Sequence, residues 1–298
     1  MSRDPHDGAL VIDGLSYHSD GYTGDLREGG VDTPNVTVCH FEADFTEAFE
    51  QIAGWLAHFA APDAGWMQIR QASDFQAARY GGKIGLIMGW QNMRPVAGDL
   101  DRLYLFHRLG VRIIRPTYNY RNSMGDGNLE SENAGLSQLG RDGVRLMNQL
   151  GIAIDISHVG DQTARDILAL SAQPVLATHV DARAQIARNR SLWLGISDYG
   201  DCFGHDIPAR YIEAANNHGK SPNVTAALLA RGWAAGSRGS LLGRKFCPCA
   251  GPNLGFLTLV FRPRARLHGP PHQRPADDFL SQFGGLDQGI QVDAGFDA

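Results

Sequence analysis

Short apolar runs alternate with amphipathic stretches along the first 200 residues of the chain. Seven runs are predicted to be strands, at 9–13, 35–39, 83–88, 111–115, 152–157, 174–178 and 192–197. Most of them are continuously apolar and do not alternate, which is typical of strands buried on both faces of a parallel sheet. The pattern therefore favours parallel βαβ units.

Helices are predicted between these strands, at 43–60, 99–109, 136–150 and 163–171. The first carries an apolar stripe with helical spacing, and Gly151 and Pro174 are stop signals after the last two. No glycine-rich phosphate-binding motif follows an early strand, which argues against an open nucleotide-binding sheet. We therefore predict an α/β fold, a TIM-type (β/α) barrel of the metal-dependent hydrolase kind.

The predicted barrel is incomplete, because a full barrel has eight strands and the regular alternation ends near residue 200. We predict a barrel domain at 1–235 and a divergent tail at 236–298. Residues 261–275 of this tail are rich in Arg and Pro and show no periodicity, so we expect the tail to be poorly ordered. The run 256–261 is strand-like but has no predicted partner.

Composition narrows the function classes. The chain has 298 residues, of which 43% are hydrophobic and 20% charged, and its net charge is -5. The chain has no excess of positive charge that would favour nucleic-acid binding, and no apolar stretch is long enough to span a membrane. We therefore expect a cytoplasmic protein with a small-molecule or dipeptide substrate. A homodimer is left open. Cys247 and Cys249 form a Cys-x-Cys pair, which is only half of a metal-binding pattern. We favour the interpretation that these thiols have no role in metal binding.

The candidate chemistry lies where predicted strands end. His158 and His179 follow consecutive apolar runs, and the carboxyl ends of barrel strands converge on one face, so both imidazoles are predicted to reach one metal ion. Asp198, after the last predicted strand, is a third candidate ligand and a proton acceptor. The alternatives are satisfied polar residues for the histidines, and a helix cap or turn residue for Asp198.

Other strand-end side chains suit substrate binding. Gln91, Tyr118 and Asn119 offer hydrogen bonds to an amide or carboxylate substrate. Arg188 is suited to bidentate pairing with a substrate carboxylate. The alternative for Arg188 is an ordinary solvated basic face.

Several strings resemble the membrane (renal) dipeptidase family of zinc metallopeptidases, in that family's order. They are LREGGV at 26–31, LGVR at 109–112, YN at 118–119, GLSQLG at 135–140, MNQLG at 147–151, IDISH at 154–158, TH at 178–179 and RN at 188–189. The resemblance implies an amidohydrolase-type barrel that cleaves dipeptides with a hydroxide held by two zinc ions. It also implies zinc ligation by His158 and His179, ligation or proton transfer by Asp198, and carboxylate binding by Arg188.

The chain departs from this family at several ligand positions. Leu15 and Tyr17 stand where typical members carry His and Asp after the first strand. Gln91 replaces a bridging Glu, and Tyr118 replaces a His that assists catalysis. A bacterial branch of the family is similar to this chain in having Asp-Gly-Leu and Gly-aromatic-Gln-Asn at these places. Because Leu does not ligate and neutral Gln does not bridge two cations, we predict one zinc ion.

The prediction for the site is therefore one zinc on His158, His179 and Asp198, with Gln91 or Tyr118 orienting the substrate carbonyl and Arg188 and Asn119 binding substrate. Relative to the family, about two βα units, or roughly 60 to 90 residues, are missing between Ser191 and Trp193. We hypothesise that the sequence derives from an internally deleted member with an altered C-terminus. Two alternatives remain: an inactive member that only binds small peptides or folds poorly, and a one-metal hydrolase of another small amide or lactone.

Overall fold

The computed structural model describes residues 10–16, 22–179 and 259–261. The strands in this part of the chain are β1 Ile12–Ser16, β2 Thr33–Thr37, β3 Trp66–Gln68, β4 Ile84–Trp90, β5 Val111–Ile114, β6 Ala153–Asp155, β7 Val175–Ala177 and β8 Leu259–Phe261. The helices are α1 Tyr22–Glu28, α2 Phe45–Ala60, α3 Ala72–Tyr80, α4 Arg102–Leu109, α5 Gln138–Leu150 and α6 Asp161–Leu170, and a 3₁₀ turn spans Arg94–Val96.

The strands form a sheet with the order β1-β2-β4-β5-β6-β7-β8, and β3 pairs with the first half of β4. All neighbouring strands from β1 to β7 are parallel, and each parallel strand is joined to the next by a crossover segment. This is a parallel half-barrel, which confirms the predicted incomplete TIM-type barrel. Because the strands are parallel, their carboxyl ends lie along one edge.

The sheet is covered on both faces by apolar side chains. On β4, Leu86 and Met88 point into the larger core cluster, which also contains Ile52 of α2 and Phe106 of α4. Ile87, between them, belongs to a second cluster on the other face. Burial on both faces is the reason that these strands show continuous apolar runs in the sequence.

The helix boundaries follow from local capping. Asp44 accepts a hydrogen bond from the Glu47 amide while the Glu47 side chain accepts one from the Asp44 amide, so α2 begins at Phe45 with a capping box. Helix α5 begins after Ser137, whose hydroxyl accepts from the Gly140 amide, and ends at Gly151 in a left-handed conformation. Both helices lie within the predicted ranges.

Four helices and strands in the described part of the chain differ from the predictions: α1, α3, β3 and β8. Neither α1 nor α3 was predicted. Strand β3 was not predicted, because its three residues have neither a long apolar run nor an alternation. The expectation that the run at 256–261 has no partner is wrong for its last three residues, since β8 pairs with β7 in antiparallel register, Leu176 opposite Val260. The predicted strand at 192–197 and the rest of the predicted tail lie outside the described residues.

No helix in the described part of the chain is long and apolar enough to cross a membrane.

Candidate metal centre

The two histidines predicted from strand-end placement lie in contact. Strands β6 and β7 are adjacent and parallel, with Asp155 opposite Leu176, so the residues after them emerge side by side. The Nε2 atoms of His158 and His179 are 2.8 Å apart, and both side chains are buried. The prediction that these imidazoles converge is therefore confirmed, whereas their metal ligation stays a prediction.

The hydrogen bond made by the other ring nitrogen orients His158. Its Nδ1 lies 3.0 Å from the Asn119 side-chain oxygen, which accepts the Nδ1–H and leaves Nε2 with its lone pair. The Tyr118 ring stacks on the imidazole with centroids 4.2 Å apart. Burial lowers the pKa of His158 most, and the charges of the nearby Arg115 and His179 lower it further, so it lies well below its usual range. His158 is therefore a neutral imidazole, the form that ligates metals.

His179 is fixed by a chain of hydrogen bonds that runs through the preceding residue. The Thr178 hydroxyl donates to Asp155 Oδ2 at 2.7 Å, so its oxygen is the acceptor for His179 Nδ1, also 2.7 Å away. Because His158 Nε2 carries its lone pair, the 2.8 Å contact places a proton on His179 Nε2, which donates to His158. Zinc binding by both Nε2 atoms would release this proton, and the Nδ1 contact with Thr178 would hold the ring in place, as second residues commonly do for metal-ligating histidines.

These residues fit a zinc ion as two of its ligands. Two nitrogens that each bind zinc at about 2.05 Å with tetrahedral geometry are about 3.4 Å apart, so the imidazoles need to separate by roughly half an ångström. Within the described ranges, no group of three or more His, Cys, Asp or Glu side chains is placed to hold a metal. The predicted third ligand, Asp198, lies outside those ranges, as do Arg188 and Tyr17.

The centre contains a buried ion pair that the sequence did not predict. Arg115, the residue after β5, is 1% exposed and donates from Nη2 to Asp155 Oδ2 at 2.6 Å. Its Nη1 donates to the Gln91 side-chain oxygen. Nη2 also lies 3.2 Å from His179 Nδ1. A guanidinium is thus fixed between the ends of β4 and β6, directly beside one proposed ligand.

Asp155 connects three strand ends through its carboxylate. It accepts from the Ser157 amide at 3.0 Å and hydroxyl at 2.8 Å, and from the Thr178 amide at 3.2 Å. Burial alone would raise the pKa of this carboxyl, but the charges of Arg115 and His179 and the hydrogen bonds hold the pKa well below its usual range. Asp155 is therefore ionised and is the counter-charge of Arg115.

Gln91 is held at both ends of its amide. Its Nε2 donates to the Thr37 hydroxyl at 3.0 Å, and its oxygen accepts from Arg115. The side chain is 1% exposed. The side chain therefore lies at this edge with its amide oxygen bonded to Arg115, and its predicted role in orienting the substrate stays a prediction.

The segment after β5 folds over the strand ends and fixes the first histidine. The Asn128 amide donates to the His158 carbonyl at 2.9 Å, and the Leu129 amide donates to the Asn119 carbonyl at 2.8 Å. Asn119 and His158 both have positive φ, 52° and 64°. Gly127 passes so close to the Asn119 backbone that a Cβ there would collide with it. Such strained residues persist only where the surroundings hold them.

Asn119 makes a contact that was not predicted for it. Its side-chain oxygen is engaged with His158, so the structure gives it an orienting contact, and its predicted role in substrate binding stays a prediction. His40, which also follows a strand, is exposed and bonds to Glu42 instead of joining the pair. Leu15 is buried at the end of β1 and offers no ligand atom. Cys247 and Cys249 lie outside the described residues.

The family model for membrane dipeptidase, peptidase family M19, matches residues 27–193, more than half of the chain. The chain belongs to the membrane dipeptidase family. The matched range contains the histidine pair, Arg115 and Asp155, and ends where the sequence pattern changes.

Curated members of the membrane dipeptidase family match over shorter stretches. Dipeptidase tcpJ of Claviceps purpurea is 32% identical over 124 residues, which is 41% of this chain and 29% of that protein. An uncharacterised dipeptidase of Schizosaccharomyces pombe is 35% identical over 102 residues, 34% of this chain and 25% of that protein. The chain thus spans less than a third of the length of these two relatives.

Solved structures confirm the fold. A crystal structure of an amidohydrolase from Pseudomonas aeruginosa is 29% identical with a TM-score of 0.59, covering 63% of this chain and 58% of that one. A metallopeptidase from Rhodobacter sphaeroides, liganded with a phosphinate mimic of the dipeptide L-Ala-D-Ala, is 21% identical with a TM-score of 0.53, covering 59% and 66%. The second likeness shows the fold alone.

Proposed function

We propose that this chain is a metal-dependent hydrolase that cleaves the peptide bond of dipeptides, with one zinc ion at His158 and His179. The observation that supports this most directly is the convergence of two buried imidazoles, each held through Nδ1 with Nε2 pointing at the other. The dipeptidase relatives give the substrate class, and Asp198 is the proposed third ligand.

A zinc ion bound there would supply a water of lowered pKa and a Lewis acid for the scissile carbonyl. The chain's own residues position the reactants. Tyr118 stacks on His158 and is proposed to orient the substrate carbonyl from that side. Arg188 is proposed to bind the free carboxylate of the dipeptide, and Asp198 to take the proton of the attacking water.

Metal content is the first test. Protein purified without chelator is expected to hold about one zinc per chain by elemental analysis, since catalytic zinc sites use three protein ligands and a water. His158→Ala and His179→Ala should each lose it. His40→Ala is the matched control, because His40 also follows a strand but lies outside the pair, and it should retain the metal. Parent protein without metal would refute the proposal.

Turnover is the second test. A dipeptide panel should be hydrolysed with loss of activity in His158→Ala, and C-terminally amidated dipeptides should be poor substrates because Arg188 is proposed to bind the carboxylate. A second candidate function is a member that binds small peptides without cleaving them. It is favoured by Leu15 and Gln91, which stand where typical members of the family carry the metal ligands His and Glu. Retained zinc with peptide binding and no turnover would favour that candidate. Turnover of another amide or a lactone alone would favour the one-metal alternative.

A further inference from the structure

Two acceptor atoms converge on one buried guanidinium beside the proposed zinc site. Asp155 Oδ2 lies 2.6 Å from Arg115 Nη2, and the Gln91 side-chain oxygen accepts from Nη1. These oxygens come from the ends of β6 and β4, and the guanidinium between them lies 3.2 Å from the His179 ring. A carboxylate and an amide carbonyl are also typical donors for a hard divalent cation.

We propose that the Arg115 guanidinium is a built-in cation that occupies the position of a second metal and excludes one from the centre. The inference rests on the proposed function only in that the first metal is placed at His158 and His179. Arg115 is a positioning residue, because it acts through its contacts with Gln91, Asp155 and His179.

The charge of Arg115 is permanent and its surroundings are closed to water. A guanidinium stays protonated in proteins, and this one is 1% exposed. Asp155, at 2% side-chain exposure, supplies the compensating charge. A divalent cation placed within a few ångströms would meet a fixed like charge at low dielectric, with the nearest carboxylate already paired. One zinc per chain then follows from the local charges as well as from the loss of family ligands.

Shortening Arg115 should convert the same atoms into a cation site. In Arg115→Ala the Asp155 carboxylate and the Gln91 carbonyl face a vacated volume that admits water, and Asp155 has lost its counter-charge. Mn²⁺ is the probe, because it prefers carboxylate, carbonyl and water ligands over the imidazole pair that zinc occupies.

The experiment titrates zinc-loaded protein with Mn²⁺ and counts free Mn²⁺ by EPR. Parent protein is expected to bind none beyond the exposed surface background, and Arg115→Ala about one per chain. Millimolar guanidinium should displace this Mn²⁺ and raise the thermal midpoint of Arg115→Ala. Arg115→Ala/Asp155→Asn should bind none, since the carboxylate is gone.

Arg112→Ala is the matched control. Arg112 is a buried arginine on β5, three residues before Arg115, but its guanidinium donates to the carbonyls of Arg70, His107 and Val111 instead of to a carboxylate. Removing it should create no Mn²⁺ site and no response to guanidinium.

Each result decides the proposal. A tight Mn²⁺ site in zinc-loaded parent protein, or none in folded Arg115→Ala, overturns it. Where Arg115→Ala does not fold, Arg115→Lys keeps the charge and should still exclude Mn²⁺, while uptake of Mn²⁺ by that variant also overturns the proposal. Parent protein that holds no zinc would instead refute the proposed function, and the Mn²⁺ and guanidinium measurements on Arg115→Ala would still test the built-in cation.

Discussion

Asp155→Asn is expected to destabilise the protein strongly while changing very little volume. The carboxylate accepts five hydrogen bonds, from Arg115, from two donors of Ser157 and from two of Thr178. Asn retains one acceptor oxygen, which serves the bonds made to Oδ1. The amide nitrogen replaces Oδ2, however, and turns a donor toward the Arg115 guanidinium.

The magnitude follows from the unpaired charge that remains. Removing one partner of a buried ion pair costs about 3–5 kcal/mol, because the other charge stays buried without compensation. Arg115 is 1% exposed, so water does not replace the lost partner. A domain with a total stability of about 5–15 kcal/mol would lose a large fraction of it.

The assay is urea unfolding of parent and variant at neutral pH. The control is Asp142→Asn, because Asp142 pairs with Arg145 one helical turn away with both side chains about half exposed, and such pairs contribute about 0.3–0.5 kcal/mol. The double variant Asp155→Asn/Arg115→Gln should cost clearly less than the sum of the single changes, since no lone charge is left. An Asp155→Asn variant within about 1 kcal/mol of the parent would refute the buried pair.

The remaining predictions concern backbone packing and pH. Gly127→Ala should cost about 1–3 kcal/mol in urea unfolding and weaken zinc binding, because its Cβ collides with the Asn119 backbone, whereas Gly54→Ala, in open space within α2, should gain up to about 1 kcal/mol. A Gly127→Ala variant as stable as the parent in urea unfolding would contradict this prediction. Burial and the charges of Arg112 and two further arginines lower the pKa of His107 to about 4. The unfolded state therefore binds more protons between pH 6.5 and 4, so stability should fall as pH drops through that range, and His107→Gln should remove about 1 kcal/mol of that loss, a value reduced for partial exposure. Equal pH profiles for parent and variant would show that His107 does not contribute.

The sequence predicted the architecture because most strands are buried on both faces and leave continuous apolar runs. It also placed His158 and His179 together, since parallel strands bring their following residues to one edge. Strand β3 escaped prediction because only Trp66 of its three residues is fully buried.

The ion pair between Arg115 and Asp155 was not predicted, although the sequence contains a signal for each residue. Both are charged residues within or directly after an apolar run, and a buried charge requires a partner. The sequence indicates that a partner exists but not which one, because the two residues are 40 positions apart and meet only when β5 and β6 pair. The same holds for Asn119 and His158, whose contact depends on positive φ at both residues. Neither residue is a glycine, so composition gives no warning of that conformation.

Gln91 and Arg115 have to be considered together when the site is compared with the family's two-metal form. Gln91→Glu alone would restore a carboxylate at the end of β4, but that carboxylate would face the Arg115 guanidinium and pair with it. We therefore expect zinc-loaded Gln91→Glu to bind no Mn²⁺, whereas Gln91→Glu/Arg115→Ala should bind Mn²⁺ more tightly than Arg115→Ala does. A second metal in Gln91→Glu alone would mean that the guanidinium is displaced readily. In that event the buried hydrogen bonds of Arg115 would not be what limits the centre to one ion.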